Sequence, residues 1–340
     1  PAVEDLMTDF STVGDYARQL ILRRQNADAR AQLDTLVSEI GTGRKQDLAG
    51  ELRGQFSTLA ALNANLASLS ALRESALELR GRAEAMQNVL ESLGATARET
   101  GAQFLASVPT TDGVEEALAE DARNRFEMVV EQLNSGFAGR ALFAGVSVDG
   151  PALARGEDML SALEAAVAGL PDANSVATAI QSWFAPGGDF ETAGYLGATA
   201  VPSPQAIGAG RAATLAVTAS DSSVRELLAG LAMAALSIRP PIAGNAPERR
   251  ELFQIAGVTL MNSETKIMGR RTQIGVVENA IARAEVASAA EETALRTTRS
   301  KLTEVDIYDT ATKLEAAQGQ LELLYAITAR NSELSLVRAL

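Results

Sequence analysis

The last 90 residues, Glu251 to Leu340, constrain the fold more than any other stretch. Every seventh residue from Phe253 reads Leu260, Ile267, Ile274, Ile281, Ser288, Leu295 and Leu302. The row three residues later reads Ala256, Ser263, Arg270, Val277, Ala284, Glu291, Thr298 and Val305. An apolar stripe in near-unbroken heptads beside a small or polar one predicts a long helix lying against a partner helix. From Phe253 to Val305 such a helix is a rod of roughly 80 Å. After Val305 the stripe changes phase and resumes at Ile307, Leu314 and Leu321, flanked by Ala317 and Leu324. It runs out through Leu334, Leu336, Val337 and Leu340, an apolar close to a helical tail that another surface is expected to bury.

The partner rod lies in the first third of the chain. Leu62, Leu69, Ala76, Ala83, Leu90, Ala97 and Phe104 are seven apart, and Leu72, Leu79, Met86 and Leu93 repeat the spacing three residues out of step. Residues 48–104 therefore predict a second long helix, packed against the C-terminal one as a coiled-coil-like pair. Before it, Leu6, Phe10, Val13, Ala17 and Leu20, then Leu22, Ala29, Leu33, Leu36 and Ile40, predict a helix over about residues 8–40. Gly41-Thr42-Gly43 breaks it. A third helix is expected over 115–134.

From Gly136 the texture changes. Gly136-Phe137-Ala138-Gly139-Arg140-Ala141-Leu142-Phe143-Ala144-Gly145 has the Gly-punctuated pattern of a tight hairpin. Residues 195–220, with Ala213-Thr214-Leu215-Ala216-Val217-Thr218, predict short strands, and residues 223–238 a return to helix. The expected fold is mainly α: a long antiparallel helical rod formed by the N- and C-terminal segments, with a smaller mixed α/β or β-rich insert leaving near Pro240-Pro241. At 340 residues the chain exceeds the reach of one core, so two or three domains are expected.

Composition removes whole classes of chemistry. The chain has neither Cys nor His, which excludes thiol nucleophiles, disulfides, Cys-based zinc sites and every His-dependent triad. A net charge of −13 argues against nucleic acid as the main partner. Aromatic residues make up 4% against 46% apolar, so the core is expected to be built of Ala, Leu and Val, which suits closely packed helices. No apolar run reaches the length of a membrane span, and Pro1-Ala2-Val3-Glu4-Asp5 lacks the basic start of a secretory signal.

No motif assembles a catalytic, cofactor or metal site. Gly41-Thr42-Gly43-Arg44-Lys45 lacks the phosphate-loop spacing and reads as a helix break. Gly208-Ala209-Gly210 reads as a turn, Trp183 as the core of the insert, and the acid pairs Glu115-Glu116 and Glu291-Glu292 as solvated helix faces. The stripes of the two rods are core. The residues of the two ends that remain for contact between subunits are Phe10, Val13, Leu20, Leu33, Leu36, Ile307, Leu314, Leu321, Leu324, Leu334, Leu336, Val337 and Leu340.

The paired ends resemble the flagellin-like axial proteins of the bacterial flagellum. Ile40-Gly41-Thr42-Gly43-Arg44-Lys45 followed by Asp47-Leu48-Ala49-Gly50 is similar to a shortened form of that family's N-terminal block. Residues 304–314, Glu-Val-Asp-Ile-Tyr-Asp-Thr-Ala-Thr-Lys-Leu, and the close Leu334-Ser335-Leu336-Val337-Arg338-Ala339-Leu340 are similar to its C-terminal signature. Gly139-Arg140-Ala141-Leu142-Phe143-Ala144-Gly145 and the single Asp47 favour the hook–filament junction branch, that of hook-associated protein 3, over filament flagellin. Ala141 departs from that branch's pattern, which has Tyr there.

The resemblance implies a structural role without enzymatic activity or cofactor. It implies export by the flagellar type III apparatus, a cytoplasmic flagellar export chaperone and an extracellular place in the flagellum. Its implied partners are the preceding hook-associated protein, flagellin, and further copies of the chain in a helical ring. It also implies three domains: a terminal domain of 1–45 and 306–340 that orders on assembly, a rod of 46–142 and 246–305, and an outer insert of 143–245. Filament flagellin itself, or an extracellular adhesin using the insert, are the readings it competes with.

Overall fold

The structure is a computed structural model that describes residues 4–51, 56–106, 112–200, 202–240 and 242–339. It is 75% helical with two small antiparallel sheets, the mainly α architecture that the heptads predict. In chain order the helices are α1 Glu4–Thr42, α2 Leu48–Glu51, α3 Phe56–Ala106 and α4 Asp112–Leu133. Strands β1 Gly136–Phe137 and β2 Arg140–Ala141 follow, then α5 Gly156–Val167 and α6 Ala173–Phe184. A π-helical turn at Phe190–Gly194, strands β3 Gln205–Gly208 and β4 Arg211–Ala213, and helices α7 Ser222–Leu236, α8 Ala246–Thr303 and α9 Ile307–Ala339 complete the chain. It divides into two compact units, Pro1–Ser68 with Glu291–Leu340, and Leu69–Ala290.

In the 69–290 unit, α3 and α8 run antiparallel. Arg80 pairs with Glu285 at 3.4 Å, Arg271 with Glu91 at 3.1 Å, and Phe104 meets Phe253 with ring centroids 5.2 Å apart. The seam is the predicted one. Leu69, Ala76, Ala83, Leu90, Ala97 and Phe104 are buried on α3, and Phe253, Leu260, Ile267, Ile274 and Ile281 on α8. The helices touch most closely at two glycines: a Cβ on Gly257 would lie 3.1 Å from the Gly101 carbonyl oxygen and 2.9 Å from Leu105 Cγ.

Helix α7 is buried along nearly its whole length, and α4 and α6 pack on it. At the start of α4, Glu115 is buried and receives both Arg249, itself buried, and Arg250 at 3.5 Å. The expectation that Glu115 lies on a solvated face is thus corrected. Its partners sit 134 and 135 residues away, beyond anything local charge spacing can register.

The hairpin predicted at Gly136 forms as β1–β2, turning at Ala138 and Gly139 with φ of +50° and +77°, the left-handed pair a two-residue hairpin turn requires. Between 195 and 220 only β3 and β4 are strands, joined through Ala209-Gly210. The expected strand at 214–218 is corrected. Leu215, Val217 and Ala219 alternate inward, but the segment has no ladder partner and packs as extended chain, with Ala219 N–H donating to the Phe143 carbonyl at 2.9 Å.

The insert is also more helical than expected, since α5 and α6 occupy residues that the sequence reading left without structure. Asp172 caps α6 by accepting the Ser175 amide at 2.8 Å and its hydroxyl at 2.9 Å. These bonds hold the Asp172 carboxyl below its ordinary value. A depressed folded pKa contributes stability above the unfolded value, near 3.9, that is lost as pH falls through the folded one. Asp172→Ala is therefore expected to lower the melting temperature at neutral pH, with the gap to the parent narrowing as pH falls below the ordinary aspartate range. An equal gap at neutral pH and below that range would contradict the cap.

Candidate assembly surface

Within the other unit, α1 and α9 pair antiparallel. The Arg30 guanidinium donates to the Tyr325 hydroxyl at 2.6 and 3.0 Å and lies 5.6 Å from the centre of that ring. Nearer the other end of the pair both chains break together. Helix α1 stops at Thr42, Gly43 takes a left-handed φ of +69°, and Asp306 Oδ1 caps α9 by accepting the Tyr308 amide at 3.0 Å. The breaks are stitched by two backbone bonds, Lys45 N–H to the Thr303 carbonyl at 3.0 Å and Val305 N–H to Gly43 at 3.2 Å. Gly41-Thr42-Gly43 is thus the helix break that its spacing predicts.

Among the described residues, the α1–α9 pair buries few apolar side chains: Ala29 and Leu36 on α1, Ala317 and Leu324 on α9. Leu33, Leu314 and Leu321 are half-buried beside them. Leu20 and Ile307, also expected at a subunit contact, stand in solvent at 68% and 63% exposure. Phe10, Val13, Leu334, Leu336 and Val337 belong to α1 and α9 with side chains outside the described set, and Leu340 lies outside it altogether.

The pair exposes more apolar surface than the spacing singles out. Tyr16, Ile21, Tyr308, Leu323 and Tyr325 are all exposed, Tyr308 at 84%. They sit beside the stripes rather than on them. The signal that could have found them is an aromatic or branched apolar residue at a position the heptad assigns to solvent. Among the described residues the pair thus combines a thin seam with apolar side chains on its outer faces, the kind of surface that marks interaction sites.

Two grooves open among the described residues. In the terminal unit a groove of about 540 Å³ runs beside the break, walled by Glu39, Lys301, Glu304, Asp306 and Asp309. Its wall carries both carboxylates and ammonium groups, and Ser300 donates its hydroxyl to Glu304 one turn along the same segment. Among the described residues no cluster of His, Cys, Asp or Glu could hold a metal ion, and no helix is long and apolar enough to cross a membrane.

In the 69–290 unit a groove of about 720 Å³ opens between Phe184, Pro186, Glu226 and Lys266. Trp183, Phe184, Phe190 and Tyr195 behind it are buried against one another, so Trp183 is core as its sequence context predicts. The Arg225 guanidinium stacks 5.3 Å from the Phe190 ring and donates to Glu191 at 2.8 Å, which holds the Glu191 carboxyl below its ordinary value. Burial pushes the Tyr195 hydroxyl up, and it donates to the Ala198 carbonyl at 2.9 Å. These contacts hold the insert together.

No protein-family model matches the sequence, and no curated protein matches it. Solved structures do. FlgL of Bacillus cereus matches over 70% of this chain and 98% of its own, at 15% identity and a TM-score of 0.47. A putative flagellar hook-associated protein of Vibrio parahaemolyticus matches over 71% of this chain and 96% of its own, at 12% identity and a TM-score of 0.42.

Proposed function

We propose that this chain is a structural subunit of the bacterial flagellum, a hook–filament junction protein that links the preceding hook-associated protein to flagellin. The observation that carries the reading is the α1–α9 pair, with its thin seam and exposed Leu20, Ile21, Ile307, Tyr308 and Leu323. A helix pair of this length draws its stability from tertiary burial, and among the described residues little of that burial is internal. The pair completes its core when neighbouring subunits cover it, so assembly and ordering of the ends are one event. The N- and C-terminal blocks that resemble the axial proteins fall on this pair and on the stitched break at Gly43 and Val305.

In this account the protein does no chemistry. It is exported by the flagellar type III apparatus under the care of a cytoplasmic chaperone that covers the same apolar faces. Outside the cell it self-associates in a helical ring. The 69–290 unit supplies the permanent rod, because its α3–α8 seam is closed within one chain.

A chain lacking residues 331–340 tests this. It is expected to lose co-assembly with flagellin in sedimentation while keeping the main thermal transition, which belongs to the 69–290 unit. Retained co-assembly, or collapse of that transition, would sink the reading.

A further inference from the structure

We infer that the outward face of α8, from Val258 to Ala290, is where a second copy of this chain docks. Helices on protein surfaces ordinarily turn charged residues to water. Here the positions opposite the buried row of Leu260, Ile267, Ile274 and Ile281 hold a single charge, Arg283. Val258, Met268, Val276 and Val286 stand on that face with more than half of their surface in solvent, Val276 at 63% and Val286 at 72%. Four charges on the flanks of α8 are engaged within the 69–290 unit: Lys266 with Glu226, Arg270 with Asp221, Arg271 with Glu91 and Glu285 with Arg80.

Three polar residues of the face bond back to their own helix. Thr265 and Thr272 donate their hydroxyls to the carbonyls of Met261 and Met268 at 3.3 and 3.0 Å, and the Asn279 amide donates to the Gly275 carbonyl at 2.9 Å. Each of these three bonds is made within the helix, which lowers the face's demand for water.

A second observation points the same way. Gly269 lies mid-helix with open space before it, where glycine costs about 1 kcal/mol relative to alanine. Gly101 and Gly257 have an internal reason for being glycine, the contact of α3 with α8. Gly269 has none inside the chain, and close approach of another backbone supplies one.

The dimensions identify the occupant. Residues 258–290 span roughly 50 Å of helix on a face about 10 Å wide. That is on the order of 500 Å² per partner, or about 1,000 Å² in total, the lower bound of a specific protein interface. A short peptide or small ligand covers a fraction of it. A second copy brings straight helices of the same length, and uncharged surface is what the core of such an interface requires. The inference takes self-association from the proposed function and adds which face serves it.

The test uses the full chain. Val276→Glu is expected to raise the protein concentration needed for self-association, read by sedimentation, by more than about tenfold. Its thermal transition should match the parent's, because the side chain is exposed. Since the chain has no cysteine, Val276→Cys introduces a single thiol, expected to react with maleimide when dilute and to be shielded on self-association. Self-association of Val276→Glu at the parental concentration, or a thiol that stays reactive in the assembled state, overturns the inference and leaves the proposed function standing. A parent chain that never self-associates overturns both.

Discussion

Replacing Glu115 with alanine is expected to destabilise the 69–290 unit by about 3–5 kcal/mol. Glu115 is 2% exposed and its carboxylate receives Arg249, which is buried with it, and Arg250 at the edge. Removing the acid takes a buried carboxylate away from the buried Arg249 guanidinium, which costs more than the ion pair is worth. The informative control is the double change Glu115→Leu with Arg249→Met, which removes both charges and keeps the volume. It is expected to recover most of the loss, because an apolar pair of similar size is often neutral against a buried ion pair. Urea unfolding reads both, with the midpoint moving and the slope unchanged. A double variant as damaged as Glu115→Ala would mean that the pair holds its hydrogen-bonded surroundings, including the Ala243 carbonyl that Arg249 also reaches.

Phe253→Ala is expected to cost a similar amount, about 3–5 kcal/mol. The ring is buried on α8 and meets Phe104 of α3 at 5.2 Å with the planes tilted by 59°, so its loss opens a void that neither helix can close alone. The comparison that gives the number meaning is Leu20→Ala on α1. Its side chain is exposed, and the substitution should change the stability of the unassembled chain by no more than about 0.5 kcal/mol while weakening assembly. A loss from Leu20→Ala as large as that from Phe253→Ala would place Leu20 in an internal core.

The rods were legible because their signal repeats. Seven residues separate Leu69, Ala76, Ala83, Leu90, Ala97 and Phe104, and the structure buries every one. Local breaks were legible for the same kind of reason, since Gly43 and Ala138-Gly139 sit where the backbone takes positive φ. The insert was less so. Met159, Leu160, Leu163 and Val167 carry a helical spacing, as do Val176, Ala177, Ile180, Trp183 and Phe184, but each set spans one 12-residue helix fenced by Gly, Pro and Asp.

At 214–218 the alternation was real and the inference from it failed. Alternating burial needs an extended chain, whereas a strand also needs a neighbour, and residues 214–218 pair with no other strand among the described residues. The buried acid was illegible in principle, because Glu115 and Arg249 meet only through the fold. On the terminal pair the stripe residues Leu36 and Leu324 lie in the seam within the chain, while the exposed Tyr308 and Leu323 were passed over because heptad spacing assigns them to solvent. In a subunit, that assignment describes the chain alone and not the chain in its assembly.

The central claim is that α1 and α9 owe their order to neighbours, and amide hydrogen exchange on the dilute, monomeric full-length chain tests it most directly. The account predicts exchange across residues 4–42 and 307–339 close to that of fraying segments, beside α3 and α8 amides between 69 and 290 protected to the level of global unfolding. Protection of α1 and α9 equal to that of the rods would contradict it, because the ends would then be an ordinary core complete in one chain.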